Sequence, residues 1–300
     1  MNFKQIGRRR EIRRVCMSER VLKTACLFFL MAGIVLGLTQ REITGFSGSR
    51  RKVMITAHRG ASHDAPENTR VAIALAIAEG ADYVEIDVRR TSDGVPVLMH
   101  DRALFRTTGI PADIDKVTYA ELVSFDAGRG FAEEFIGETV PNLRTILEDY
   151  GSKIMFNIEL KDGEDDGLAE SVVALVEAYG LEERCVISSG SYAQLERVKK
   201  TNEKIKTGYI LSMVYGEIFG YEAADFFSVR SGYVTERMIK QAHRRGKEVH
   251  AWTVNEASEL EKLKEMGVDN IITDRPAYAR NVLEDTMQHW EKMPYDKERM

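Results

Sequence analysis

From Val53 to Thr273 the chain repeats one pattern, a short apolar run rich in β-branched residues followed by a stretch with helical spacing. The runs are Val53 to Ala57, Tyr83 to Val88, Ile154 to Leu160, Cys185 to Ser188, Thr207 to Leu211, Phe226 to Val229, Glu248 to Val254 and Asn270 to Thr273. Helical patterns between them include Leu168 to Tyr179, Tyr192 to Thr201, Thr235 to Arg244 and Ala257 to Met266. Near-continuous apolar strands need cover on both faces, and parallel neighbours need a helical crossover. Eight such units in about 230 residues predict an α/β fold, a TIM-type (β/α)8 barrel. An open doubly wound sheet is the rival, but no Gly-x-Gly-x-x-Gly loop follows the first run.

The repeat breaks between Arg102 and Tyr150, a span too long for a simple connection. Thr118-Tyr119-Ala120-Glu121 is a capping-box pattern, and Pro141 to Tyr150 reads as a helix.

Ahead of the barrel the chain changes character. Residues 1–24 carry eight Lys or Arg and two Glu, a charge of +6; with −5 overall, the remainder carries −11. An acidic main domain argues against a nucleic-acid partner. Residues 21–38 are apolar apart from Lys23, with 14 uncharged residues from Ala25 to Leu38. That length fits a short spanning helix or a signal-peptide core. No small-x-small cleavage site follows Leu38, so the segment is expected to be an uncleaved membrane anchor. The basic residues 1–24 would then be cytoplasmic and the barrel extracytoplasmic. Secretion after signal cleavage is the alternative. Residues 39–52, with Gly45, Ser47, Gly48 and Ser49, read as a linker, residues 53–285 as the barrel domain and residues 286–300 as a polar tail. Cys185 is the one cysteine after residue 26, so the barrel has no internal disulfide, and its apolar setting predicts a buried structural thiol.

The chemistry concentrates between Met54 and Asp101. Asn68 or Thr69 can cap a helix whose apolar positions Val71, Leu75 and Ala78 are spaced for one buried face. Glu85 and Asp87 stand two apart on a predicted strand, so both carboxylates point the same way. Burying two anions unpaired is expensive, and a divalent cation bound by oxygens relieves that cost. Asp93-Gly94 predicts a two-residue hairpin in which facing positions sum to about 187. That register sets Asp87 opposite His100 and Glu85 near Arg102. His58, ending the first run, and His100 then converge on the acidic pair as an acid–base and metal constellation. Taken singly, a histidine at a strand end is more often a satisfied structural group, and Glu-x-Asp on an exposed face is merely solvated.

Taken in order, these motifs resemble one family, the glycerophosphodiester phosphodiesterases. The resemblance lies in His58-Arg59-Gly60, Ala65-Pro66-Glu67-Asn68-Thr69, Glu85-Ile86-Asp87-Val88, and Asp93-Gly94 to His100-Asp101. It continues through Asn157-Ile158-Glu159-Leu160-Lys161, Val249 to Asn255 and Ile272-Thr273-Asp274-Arg275-Pro276, covering about residues 53 to 283. It implies that Arg102 to Tyr150 is a small insertion after the second barrel strand. It also implies metal-dependent hydrolysis of glycerophosphodiesters to glycerol 3-phosphate and an alcohol, with Glu85, Asp87 and Glu159 as metal ligands. Three hard oxygen donors suit Ca²⁺ or Mg²⁺. Arg59 can grip a phosphate with its planar fork, and Lys161 can add a point charge or form a structural ion pair with Glu159. His58 and His100 are the expected acid and base, their roles in the first step unassigned. Trp252, ending the seventh run, could wall the pocket or belong to the core. His63 and Asp64 read as solvated loop residues, Arg106 to Gly109 as structure or substrate contact, and His243 and His250 receive no role. After Ser188-Ser189 the family commonly has an aromatic residue where this chain has Gly190. Two rivals remain: a lysophospholipase D acting on membrane lysolipids, and an inactive barrel that binds a phosphate ligand.

Overall fold

The computed structural model describes residues 52–161 and 167–291. The basic segment, the apolar run 21–38, the linker up to residue 51 and residues 292–300 lie outside them. Among the described residues no helix is long and apolar enough to cross a membrane.

Nine strands form one sheet: β1 (Met54–Ala57), β2 (Tyr83–Arg90), β3 (Pro96–Leu98), β4 (Met155–Leu160), β5 (Cys185–Ser189), β6 (Lys206–Leu211), β7 (Phe226–Arg230), β8 (Glu248–Trp252) and β9 (Asn270–Thr273). All but β3 run parallel, in the order β1-β2-β4-β5-β6-β7-β8-β9, and β9 pairs back to β1. The sheet therefore closes into the expected eight-stranded barrel. Helices α1 (Arg70–Ala78), α2 (Leu143–Tyr150), α3 (Leu168–Ala178), α4 (Tyr192–Thr201), α5 (Glu236–His243), α6 (Ala257–Met266) and α7 (Pro276–Glu291) make most of the return connections. The last of these runs past residue 285, where the barrel domain is expected to end.

Side-chain alternation divides each strand between two environments. Outward residues such as Val84, Ile86, Phe156 and Ile158 pack under Val172, Val173 and Val176 of α3. Phe227, Val229, Val249 and Ile271 do the same under Ile239 of α5 and Leu260 and Leu263 of α6. The inward row is largely polar: Thr56 donates to Asn270 Oδ1 at 2.9 Å, and Ser188 to Asn157 Oδ1 at 2.8 Å. Lower in the barrel, Phe226 stacks on His250 with centroids 4.1 Å apart. Gly208 makes room for that ring, since a Cβ there would sit 2.0 Å from it.

Two local expectations are corrected. In α1 the buried residues are Ala72, Ile73 and Ala76, whereas Ala78 is exposed and Val71 and Leu75 are half-buried. The cause is the preceding loop. Ala61 N donates to Ala72 O at 3.0 Å, and Gly60, at φ +87°, lies so close that a Cβ would meet Ala72 Cβ at 2.6 Å. Only small residues can face that backbone, so the helix turns its alanines inward. Thr69, not Asn68, is the cap, accepting from Ala72 N.

The second correction concerns the hairpin. The ladder pairs Val88 with Leu98, Arg89 with Val97 and Arg90 with Pro96, so five residues, Thr91 to Val95, make the connection. Thr91 closes it by donating its N–H to Val95 O and its hydroxyl to Asp93 Oδ1, with Gly94 at φ +82°. The register shifts by one, and Met99 N rather than His100 meets Asp87 O, at 2.9 Å. Arg102 does not approach Glu85 as expected; it is exposed and pairs with Asp115 at 2.9 Å. His100, one residue past the Met99–Asp87 bond, still lines the pocket.

The insertion that follows has its own core of Val97, Met99, Leu104, Ile114, Leu122 and Val140. The capping box forms as expected at Thr118 and Glu121, and Asn142 caps α2.

Candidate active site

The C-terminal ends of the strands surround a pocket of about 110 Å³ that contains Glu85, Glu159, Lys161, His58, His100 and Trp252 among its walls. Its floor is acidic. Asp87 on β2 is in register with Glu159 on β4, and Glu85 lies one inward position below Asp87. One oxygen from each of the three carboxylates lies within 4.8 Å of the other two. Glu85 and Asp87 are 3% and 1% exposed. Glu85 Oε2 accepts from Arg59 N at 2.8 Å, while Glu85 Oε1 is buried without a hydrogen-bond partner. Asp87 Oδ2 accepts from Asn68 Nδ2 at 2.8 Å, and Lys161 Nζ lies 2.9 Å from Asp87 Oδ1 and 2.5 Å from Glu159 Oε1.

This crowding sets the protonation behaviour. Burial, then the charges of Asp87 and Glu159, pushes the Glu85 carboxyl well above the ordinary range. Burial and Asp87 raise Glu159 as well, against the pull of Lys161. Burial would also raise Asp87, but Lys161, Arg59 and His100 outweigh it and hold that group ionised. Three converging carboxylates, with Glu85 Oε1 and Asp87 Oδ1 both buried without a hydrogen bond, fit a hard divalent cation such as Mg²⁺ or Ca²⁺.

The mouth carries the two imidazoles. His58 follows β1, and its Nδ1 is 2.6 Å from Asp274 Oδ1. Burial works to raise the Asp274 carboxyl, but His58, Asn255 and Ser62 together draw it down to about 2. An ionised carboxylate only accepts, so His58 Nδ1 carries the proton and Nε2 is the nitrogen free to exchange one. His100 is held the same way, Nδ1 donating to Asp101 Oδ1 at 2.6 Å. Burial, with Lys161 and Arg59, outweighs Asp87 and Asp101 and lowers the His100 pKa.

Arg59 and Asn68 are the non-glycine residues with left-handed backbone among the described residues, both at φ +57°. Such strain persists only where surroundings enforce it, and it marks functional loops. Here Asn68 N donates to Arg59 O at 2.9 Å, and the Asn68 amide grips Asp87 through both its Oδ1 and Nδ2. The Arg59 guanidinium lies over the floor, with Nε 3.3 Å from Asp87 Oδ2 and Nη1 3.1 Å from Glu67 Oε1. Of the two readings of Trp252, the structure places it on the pocket wall, half-exposed, with its Nε1 anchored to Ser228 O at 3.0 Å. Lys161 does form its ion pair with Glu159 and also faces the pocket.

All eight expected site residues therefore converge. Several partners escaped sequence reasoning, Asp274, Asp101, Glu67 and Asn255, while Asn68 reads from sequence as a possible helix cap and Arg106 as structure or substrate contact. Asp274 and Asp101 each lie in a quoted motif, and the signal available was an Asp placed just after a strand end. The remaining polar candidates stay local. His63 pairs with its neighbour Asp64 in solvent, His243 with Asp269 and His250 with Glu248. Cys185 is buried, and burial pushes its thiol up to about 12.

Residues 58–278 match the glycerophosphoryl diester phosphodiesterase family. A glycerophosphodiester phosphodiesterase of Caldanaerobacter subterraneus subsp. tengcongensis is 33% identical over 240 residues, 77% of this chain and 98% of that one. The crystal structure of a glycerophosphodiester phosphodiesterase from Agrobacterium tumefaciens superposes with a TM-score of 0.69 at 29% identity, over 76% of this chain and all of that one. An Oleispira antarctica phosphodiesterase, solved in complex with the product sn-glycerol-3-phosphate, superposes with a TM-score of 0.69 at 30% identity, over 77% and 96% of the two chains.

Proposed function

The chain belongs to the glycerophosphoryl diester phosphodiesterase family of phosphoric diester hydrolases, and we propose that it cleaves glycerophosphodiesters by histidine acid–base catalysis beside a divalent metal ion. One observation supports this most: three carboxylates within 4.8 Å of one another share a pocket with two imidazoles whose Nδ1 atoms are each tied to a carboxylate.

Glu85, Asp87 and Glu159 would hold the metal. When bound, it neutralises phosphodiester charge and eases ionisation of the glycerol 2-hydroxyl. Arg59 and Lys161 orient the phosphoryl oxygens, Arg59 through its planar fork and Lys161 as a point charge. In the first step one imidazole Nε2 takes the 2-hydroxyl proton as that oxygen attacks phosphorus. The other protonates the departing alcohol oxygen, leaving a cyclic phosphate. Roles then reverse: water attacks phosphorus, the ring bond to the 2-oxygen breaks, and glycerol 3-phosphate leaves. Trp252 shapes the wall against the glycerol or alcohol moiety.

The apolar residues 21–38 are proposed to anchor the barrel at the cell membrane on its extracytoplasmic side.

The test is glycerol phosphate release from glycerophosphocholine by the full chain, with and without EDTA, beside His58→Ala and Glu85→Ala. The expected result is turnover that needs the metal and both residues. Binding of glycerol phosphate without turnover, by folded and metal-loaded protein, would move the inactive barrel to first place.

A further inference from the structure

Arg106 stands outside the pocket, half-exposed on the short helix Phe105–Thr108 of the insertion. The reaction as described does not use it. Its guanidinium nevertheless grips two carboxylates. Nη1 donates to Glu67 Oε2 and Nη2 to Glu67 Oε1, both at 2.7 Å, while Nε donates to Asp101 Oδ2. Each carboxylate has a second partner inside the site. Glu67 Oε1 also accepts from Arg59 Nη1 at 3.1 Å, and Asp101 Oδ1 from His100 Nδ1 at 2.6 Å. One planar fork thus joins the phosphate-gripping arginine to the imidazole across that side of the pocket.

The turn that presents Arg106 is fixed by packing. Leu104, which precedes it, is fully buried in the insertion core, and its carbonyl accepts from both the N–H and the hydroxyl of Thr108 at 2.9 Å. Leu104 N in turn donates to Ala112 O at 2.9 Å. An isolated exposed ion pair contributes little, but bidentate geometry and shared carboxylates make this a network.

We propose that Arg106 is a positioning residue, holding Asp101 against His100 and Glu67 against Arg59. The inference rests on the reaction assigned above to His100 and Arg59. Without Arg106, Asp101 can rotate away and let the imidazole tilt, which slows proton transfer and lowers kcat. Glu67 can swing too, which loosens the Arg59 fork and raises KM. Lysine keeps the charge but has no fork with which to serve both carboxylates.

The experiment uses the metal-loaded full chain with glycerophosphocholine, comparing wild type with Arg106→Ala, Arg106→Lys, Glu67→Gln and Asp101→Asn, and recording the melting temperature of each. Arg106→Ala is expected to lose about 10–100-fold in kcat/KM, shared between lower kcat and higher KM. Glu67→Gln raises chiefly KM, Asp101→Asn lowers chiefly kcat, and Arg106→Lys restores one of the two constants but not both. Guanidinium ion added to Arg106→Ala recovers part of the loss. The role is overturned if folded Arg106→Ala stays within about twofold of an active wild type in both constants. A lower melting temperature with kcat and KM unchanged per folded molecule overturns it equally. An inactive wild type overturns the reaction reading, and this inference with it.

Discussion

The floor and the mouth of the pocket solve opposite electrostatic problems. At the floor, Glu85, Asp87 and Glu159 stand on barrel strands and crowd like charges together in a buried place, leaving Glu85 Oε1 without a partner. At the mouth, His58 and His100 are each satisfied by a carboxylate from a loop, and those carboxylates are satisfied in turn by Asn255, Ser62 and Arg106. Lys161 and Arg59 offset part of the floor's charge, but Glu85 stays crowded by Asp87 and Glu159; the mouth is complete as it stands. A site built this way keeps its carboxylates rigid on the sheet and its imidazoles aimed by side chains that loops can adjust.

The largest expected effect breaks the floor. Glu85→Gln removes a proposed metal ligand and should lower kcat/KM by about 10³-fold or more, since a bound metal would supply several kcal/mol of transition-state stabilisation. It should also raise the melting temperature of the metal-free protein, because the burial and repulsion acting on Glu85 vanish with its charge. Thermal melts in EDTA beside steady-state kinetics test both halves; a Gln variant that is less stable without metal would contradict the strained floor.

At the mouth, Asp274→Asn is expected to leave the fold intact and cost about 10²–10⁴-fold in kcat with little change in KM. An amide can offer its NH₂ group to His58 Nδ1 and favour the wrong tautomer, so geometry survives while proton transfer fails. Equal losses in kcat and in binding of glycerol phosphate would show that Asp274 supports the pocket wall instead. Trp252→Phe should be milder, raising KM by about twofold to fivefold, because it keeps a ring while losing the bond to Ser228 O.

The same contrast explains what could be read in advance. Period-two alternation puts Glu85 and Asp87 on one face whatever the rest of the chain does, so the floor was legible from the strands alone. The barrel itself followed from the repeat, and strand ends agree to within two residues. Partners at the mouth come from far along the chain: His58 and Asp274 are separated by 216 residues and meet only because β9 closes onto β1. Nothing local to either residue encodes that pairing. The choice between Asn68 and Thr69 as cap was open for a related reason, since either polar residue could serve locally; tertiary contact recruits Asn68 to Asp87 and leaves the cap to Thr69. The hairpin register was lost to the Thr91 hydroxyl, which closes a five-residue connection where Asp93-Gly94 suggested two.

The smallest effect separates the two regions by the sign of their pH dependence. Glu85 has a folded pKa raised above its unfolded value near 4.5, so its contribution to stability is present below that value and is lost as pH rises through the raised one. Asp274 is the reverse. Its folded pKa of about 2 lies below the unfolded 3.8, so its contribution is present above 3.8 and is lost as pH falls towards 2. Metal-free protein should accordingly melt at lower temperature on both sides of a mildly acidic optimum. Glu85→Gln should flatten the neutral side and Asp274→Asn the acid side, each by a few degrees at about 3 °C per kcal/mol for a domain of this size. Adding Mg²⁺ or Ca²⁺ should restore the neutral side alone, since the cation binds the ionised carboxylates that protons otherwise neutralise. If metal-free stability instead climbs steadily from pH 4.5 to neutrality in wild type and Glu85→Gln alike, the floor is not strained, and its difference from the mouth reduces to which strands and loops carry the charges.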